Sequence, residues 1–301
     1  MTPIAIYGYS FTQEVTFDGG LLTPLFRTAQ QLKDNKCDGT SYILTGFFTP
    51  STEYFSQLNH LVFDLSATLS FIEQKNVIIS GSLEENESPA NFGETLPRKL
   101  KFQRKKGPGK LILEDYFSPN SRAKFISLAM KKLTENVNSD QNPFRTAFYK
   151  SMISFRENMD YVDVDYFLTF SALESLCRYI ENDFISGKLP QILSASLIKY
   201  GFDVSKDGNP LKQRNIMHYC KLRNSLFHNG EYIAFTKNKE PESKIYLKDY
   251  LSNLQLLLPL VLMKYINFDD GLINWDSWID FEPFTSIRPL NMNSVIQQPS
   301  G

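Results

Sequence analysis

The sequence predicts an α+β chain, with a β-rich N-terminal domain over residues 1–118 followed by an all-α helical bundle over residues 119–301. Three observations carry this expectation. Up to about Phe117 the apolar residues come in short runs rich in β-branched and aromatic side chains, separated by turn-forming pieces such as "FDGG", "DNKCDG" and "ENESPANFGE". From about Asn120 onward they recur at helical spacing over long segments. With 301 residues, 42% hydrophobic and 14% aromatic, the chain has enough apolar surface for two cores.

In chain order, the expected strand-like runs are "PIAIYGYSF", "SYILTGFFT", "NHLVFDLSATLSFI", "NVIISGSL" and "KLILEDYF", with one helix near "LLTPLFRTAQQLKD". The expected helices are "SRAKFISLAMKKLTENV", "PFRTAFYKSMISFRENM", "VDYFLTFSALESLCRYIENDF", "PQILSASLIKYG", "PLKQRNIMHYCKLRNSLFHNG" and "SKIYLKDYLSNLQLLLPLVLMKYI". The acidic, aromatic tail "NFDDGLINWDSWIDFEPF" is expected to pack on the bundle, and "NSVIQQPSG" to fray.

Composition narrows the function. The charges nearly cancel (32 basic, 33 acidic, net −1), so any contact with nucleic acid must use a local patch. Cys37, Cys177 and Cys220 are odd in number and widely spaced, which argues against a disulfide framework or a zinc cluster and fits a reducing cytoplasm. The start of the chain does not read as an export signal, and the longest apolar stretch, Leu254 to Met263, is too short to span a bilayer. The expectation is a soluble cytoplasmic protein that engages no membrane.

The most informative stretch is "KLRNSLFHNG", Lys221 to Gly230. On a helix from about Leu211 to His228, with residues at about 100° each, Ile216, Tyr219, Cys220, Leu222, Leu226 and Phe227 form one broad apolar arc. Arg223 falls inside that arc, where a permanent charge is costly unless paired. Asn224 and His228 share its edge, while Arg214 and His218 fall on the polar side. The preceding helix offers a partner: Glu174 lies within an arc formed by Phe167, Phe170, Leu173, Leu176, Cys177, Ile180 and Phe184. A Glu174–Arg223 pair across the bundle is therefore expected.

These residue types suit metal-independent RNA cleavage. A histidine titrates near neutrality, and the C-terminal end of a helix favours its charged form. An arginine binds phosphate through a planar fork. His228 would deprotonate the ribose 2′-hydroxyl or protonate the departing 5′-oxygen while Arg223 holds the phosphate, with no cofactor and no metal required. Five residues set the two about 140° apart on an ideal helix, so the pair converges on one phosphate only if the last turn unwinds or a symmetric homodimer forms across this face. The residues themselves leave open a simpler alternative, an interior ion pair with a histidine capping the helix end.

Arg223-Asn224-Ser225-Leu226-Phe227-His228 resembles the RxxxxH motif of HEPN domains, small helical bundles found in prokaryotic toxins and phage-defence ribonucleases. "SALESL" is similar to the ApeA-like HEPN group of abortive-infection effectors. The resemblance covers roughly Phe144 to Ile266. It implies an HEPN-like bundle in which Arg223 and His228 are catalytic, Asn224 supports them, a dimer forms the cleft and RNA is the substrate. A β-rich domain that senses a phage-derived or host trigger would then restrain the nuclease. "RNIMH", Arg214 to His218, is a near match with one residue too few.

Other features admit two interpretations each. Arg98 to Lys110 carries seven basic residues and no acidic one, so Lys101, Arg104, Lys105 and Lys106, with Phe102 among them, would contact RNA, or form a solvated hairpin around a Gly-Pro-Gly turn. Cys177 and Cys220 read as core residues, and His60 stands alone in a strand-like segment. The alternatives to a ribonuclease are a catalytically inactive RNA- or nucleotide-binding regulatory module, and a target of nucleotidyl transfer on a tyrosine near the motif such as Tyr232.

Overall fold

The computed structural model describes residues 2–35, 41–83, 96–101, 109–135, 142–156, 161–237 and 240–285. Its N-terminal part is an antiparallel sheet of β1 (Ile4–Tyr7), β2 (Val15–Phe17), β3 (Gly20–Pro24), β4 (Ser41–Pro50), β5 (Ile78–Ser82) and β6 (Lys99–Lys101). The strands run in the order β2-β3-β4-β1-β5, and β6 joins β4. The ten-residue β4 organises the sheet: Ser41 to Ile43 pair with β6, while Leu44 to Pro50 lie between β1 and β3. The β2–β3 turn needs Gly20, whose φ of +146° and close approach to the Thr49 carbonyl oxygen leave no room for a Cβ.

Two expected strands are absent. "NHLVFDLSATLSFI" forms helix α2 (Leu58–Glu73), so His60 stands on a helix. Ala67 to Glu73 are all buried, because this end of α2 is enclosed by its neighbours on every side. A helix buried all round loses its polar stripe, and a short apolar run then reads equally well as a strand. "KLILEDYF" is also not a strand. Leu111 and Ile112 are buried, but the backbone nearby bonds elsewhere: the Leu111 amide donates to the Ile72 carbonyl, and Arg122 donates to the Ile112 and Leu113 carbonyls. The helix expected near "LLTPLFRTAQQLKD" occupies only its second half, as α1 (Ala29–Asn35).

The helical part follows the sequence closely: α3 (Ser121–Thr134), α4 (Pro143–Arg156), α5 (Val162–Ile180), α6 (Leu189–Lys199), α7 (Ile216–Asn229) and α8 (Lys248–Tyr265). Contrary to the all-α expectation, a small hairpin of β7 (Ile233–Phe235) and β8 (Lys244–Tyr246) interrupts it, and β8 takes the "KIY" expected to open α8. The short α9 (Ser277–Asp280) places the fully buried Trp278 against α8, so the acidic, aromatic tail does pack on the bundle. The overall class is mixed α and β.

The buried apolar side chains on one face of the sheet, α2 and the later helices form one continuous cluster, while Ala5, Tyr7, Tyr42, Leu44 and Phe47 form a smaller one on the other face. Phe71 of α2 stacks on Phe125 of α3 at 5.3 Å and on Phe148 of α4 at 4.8 Å, joining residues on both sides of position 118. Asp64 of α2 adds an ion pair to Arg145 of α4 at 2.7 Å.

At the centre lies a buried charge cluster. Glu73 ends α2 with no solvent exposure, and its Oε1 accepts from Arg122 Nη1 of α3 at 2.9 Å and from the Ser10 amide at 3.2 Å. Lys75 and Lys110 stand 3.7 and 3.6 Å from Oε2. Burial alone would raise the Glu73 carboxyl, but Arg122, Lys75 and Lys110 outweigh it and hold the group well below the usual carboxylate range. Arg122 is equally enclosed: beyond Glu73 it donates to the Ser10, Ile112 and Leu113 carbonyls, and its guanidinium lies 5.2 Å over the Tyr9 ring. Removing Glu73 or Arg122 strands the other without water. Glu73→Ala is expected to cost about 3–5 kcal/mol in urea denaturation, whereas Arg27→Ala, in the exposed pair with Glu14, should change stability by less than about 1 kcal/mol.

Candidate functional site

Helix α7 begins at Ile216, five residues later than expected. Lys212 to Arg214 form a separate 3-10 turn, and Asn215 is held outside the helix by bonds from its side chain to the Asn209 amide and carbonyl, at 2.6 and 3.0 Å. Arg214 is buried rather than solvated: it pairs with Asp203 at 3.1 Å and Asp276 at 3.0 Å, and lies over the Trp278 ring. This contact ties the tail to the start of α7. His218 is likewise only 7% exposed, because α8 covers the face expected to be polar. Its Nδ1 lies 2.9 Å from the Tyr250 hydroxyl, and burial lowers its pKa. The near-match "RNIMH" thus supplies two packing residues.

The other end of α7 is as expected. Gly230, at φ +68°, closes the helix with its amide on the Leu226 carbonyl at 2.9 Å. The helix is regular through Asn229, so its last turn does not unwind.

Arg223 and Glu174 do meet across the bundle, Nη2 to Oε2 at 3.8 Å. Glu174 is shared, since its Oε1 accepts from Arg178 Nε at the tighter distance of 2.9 Å. Arg223 also donates to Asn224 Oδ1 at 3.1 Å, and its guanidinium lies 4.9 Å over the Phe227 ring. Phe227 in turn meets Phe167 of α5 at 4.9 Å. The apolar arc drawn for α5 needs two corrections. Phe167 is 48% exposed, because the buried face of α5 centres on Tyr166, Phe170, Leu173 and Cys177; Phe184 lies beyond the helix end, also exposed. Cys177 and Cys220 are core residues, and burial pushes both thiols up to about 12.

His228 is exposed and lines an open groove between α7 and β7 together with Lys221, Asn224 and Glu231. Two α7 side chains secure the unpaired edge of β7 along this groove: Ser225 Oγ donates to the Ile233 carbonyl, and Lys221 Nζ to the Thr236 carbonyl at 2.6 Å. Arg223 is absent from the lining. Within one chain the groove therefore joins an imidazole, a carboxamide, a carboxylate and an ammonium, while the guanidinium lies on the adjoining face, linked to the groove through Asn224. Lys221 and Glu231 were not foreseen as site residues; their positions two turns before and three residues after His228 were the available signal.

The basic segment is only partly described. Arg98 and Lys99 are exposed, and Lys101 lies at the end of β6. Arg104, Lys105 and Lys106 lie outside the described residues. Lys110 turns inward to Glu114 and Glu73. Among the described residues no group of three or more His, Cys, Asp or Glu is placed to hold a metal ion, and no helix is long and apolar enough to cross a membrane. Compared with protein-family profiles, curated proteins and solved structures, the chain shows no match.

Glu174→Gln removes the charge that two arginines share, and is expected to lower stability by about 1–3 kcal/mol in chemical denaturation; no change would mean that the carboxylate does not hold Arg223. His218 gives a pH signature. Its pKa is lower folded than unfolded, so its contribution is intact above about pH 6.5 and lost as pH falls through that value toward the folded pKa. Denaturation midpoints between pH 8 and pH 5 should fall less for His218→Gln than for the unaltered chain.

Proposed function

We propose that the chain is a metal-independent endoribonuclease of HEPN type, acting in the cytoplasm as a toxin or in abortive defence against phage. The observation that carries this reading is the open groove at the end of α7, where His228 is accessible beside Asn224 and Lys221 while Arg223 is held at the adjoining face by Glu174. His228 removes the 2′-hydroxyl proton; the 2′-oxygen attacks phosphorus, the bond to the 5′-oxygen breaks, and a protonated imidazole returns a proton to that oxygen. The products are a 2′,3′-cyclic phosphate and a free 5′-hydroxyl. Lys221 and Arg223 balance the charge that develops on the phosphoryl oxygens.

Arg223 and His228 face different sides of one α7, so the arginine acting on a given phosphate comes from a second copy. A homodimer across the face that carries the exposed Phe167 beside the half-buried Phe227 and Arg223 supplies it. The defence role rests on the motif's resemblance alone, and the restraint of the nuclease by the sheet until a phage-derived or host trigger arrives rests on the harm that an unrestrained ribonuclease would do to its host. One observation favours a second reading, a catalytically inactive RNA-binding module: Arg223 already has a carboxylate partner and an aromatic face.

Cleavage of total RNA in EDTA separates the two. Arg223→Ala and His228→Ala should each lower the rate by about 100-fold or more, and mixing the two inactive variants should restore part of it through dimers carrying one intact composite site. Equal rates in all three proteins would exclude this site.

A further inference from the structure

A second groove lies beyond the start of β7, lined by Tyr161 and Asp163 at the beginning of α5, Tyr232 before β7, Tyr246 at the end of β8, and Lys248. Its three tyrosines are 52%, 50% and 41% exposed, an unusual concentration of open aromatic surface around one concavity. Lys248 Nζ stands 5.8 Å from the centre of the Tyr246 ring, placing a cation beside the aromatic face. Only three residues lie between His228 and Tyr232, so at most about 14 Å of backbone joins this groove to the one at the end of α7.

We propose that the tyrosine groove is a nucleobase-stacking subsite for single-stranded RNA whose phosphate sits at His228. The proposal rests on the ribonuclease reading above and adds where the substrate is gripped. Aromatic faces beside a cation are what a single strand needs, since every base offers a π face and every linkage a negative charge. A protein partner would also use tyrosines; the adjoining cation and the short path to His228 favour nucleic acid. Asp163 adds selectivity. A carboxylate only accepts hydrogen bonds, so it favours bases with an exocyclic amine over uracil.

The test measures anisotropy of fluorescent 12-nucleotide RNAs, one all-uracil and one of mixed adenine and cytosine, on the full chain carrying His228→Ala so that nothing is cut. Tyr232→Leu with Tyr246→Leu should weaken binding of the mixed strand by about tenfold or more. The paired Phe substitutions should stay within about threefold, which separates stacking from misfolding. Asp163→Asn should narrow the preference for the mixed strand over oligouridine. Unchanged affinity in the leucine variant would overturn the subsite, yet leave the ribonuclease reading standing if the unaltered chain still cuts RNA. Unchanged affinity with a shift toward monomer in sedimentation velocity would reassign the groove to a protein interface. Absence of binding by the parent would overturn the subsite, and absence of cutting as well would overturn both.

Discussion

The ion pair between Glu73 and Arg122 is the constraint around which the fold closes. Glu73 ends α2, Arg122 opens α3, and the groups they bond to come from the turn after β1 and from the stretch leading into α3. An enclosed guanidinium must satisfy its donors, and here it does so with three backbone carbonyls that belong to no ladder. Segments without regular structure are thereby held as firmly as strands. Buried pairs of this kind often contribute less net stability than apolar substitutes, and their value lies in permitting one arrangement over others. In this chain the arrangement is the seating of the sheet on the helices.

The helical part was legible because most of its helices have one face in the core and one in water, so the period shows. The Asn-Gly stop after His228 and the pairing of Glu174 with Arg223 were legible for related reasons: a left-handed residue ends a helix, and two opposite charges on facing apolar arcs seek each other. The illegible parts share one cause. α2 is enclosed on all sides at its C-terminal end, and the 110–117 stretch bonds to the Ile72 carbonyl and to the Arg122 side chain instead of to a ladder, so neither carries a local period. Arg214 and His218 were misplaced because their neighbours, Asp276, Trp278 and Tyr250, arrive from later in the chain. A helical wheel identifies the apolar face but cannot show that a tail will cover the polar one.

The candidate site was legible in its residue types and less so in its geometry. Sequence spacing already set Arg223 and His228 on different faces of α7, and the regular last turn keeps them there. Lys221, which shares the groove with His228, was not singled out in the sequence. Its role follows from β7, a three-residue strand too short to announce itself.

Lys221 spends one of its three N–H donors on the Thr236 carbonyl. The ammonium is thus preorganised: fixing a lysine side chain costs about 1.5–2 kcal/mol of rotamer entropy, and that loss is incurred when the chain folds rather than when a ligand arrives. Among the described residues its other two donors have no partner, so an anion in the groove meets a charge already in position and need not release the strand to use it.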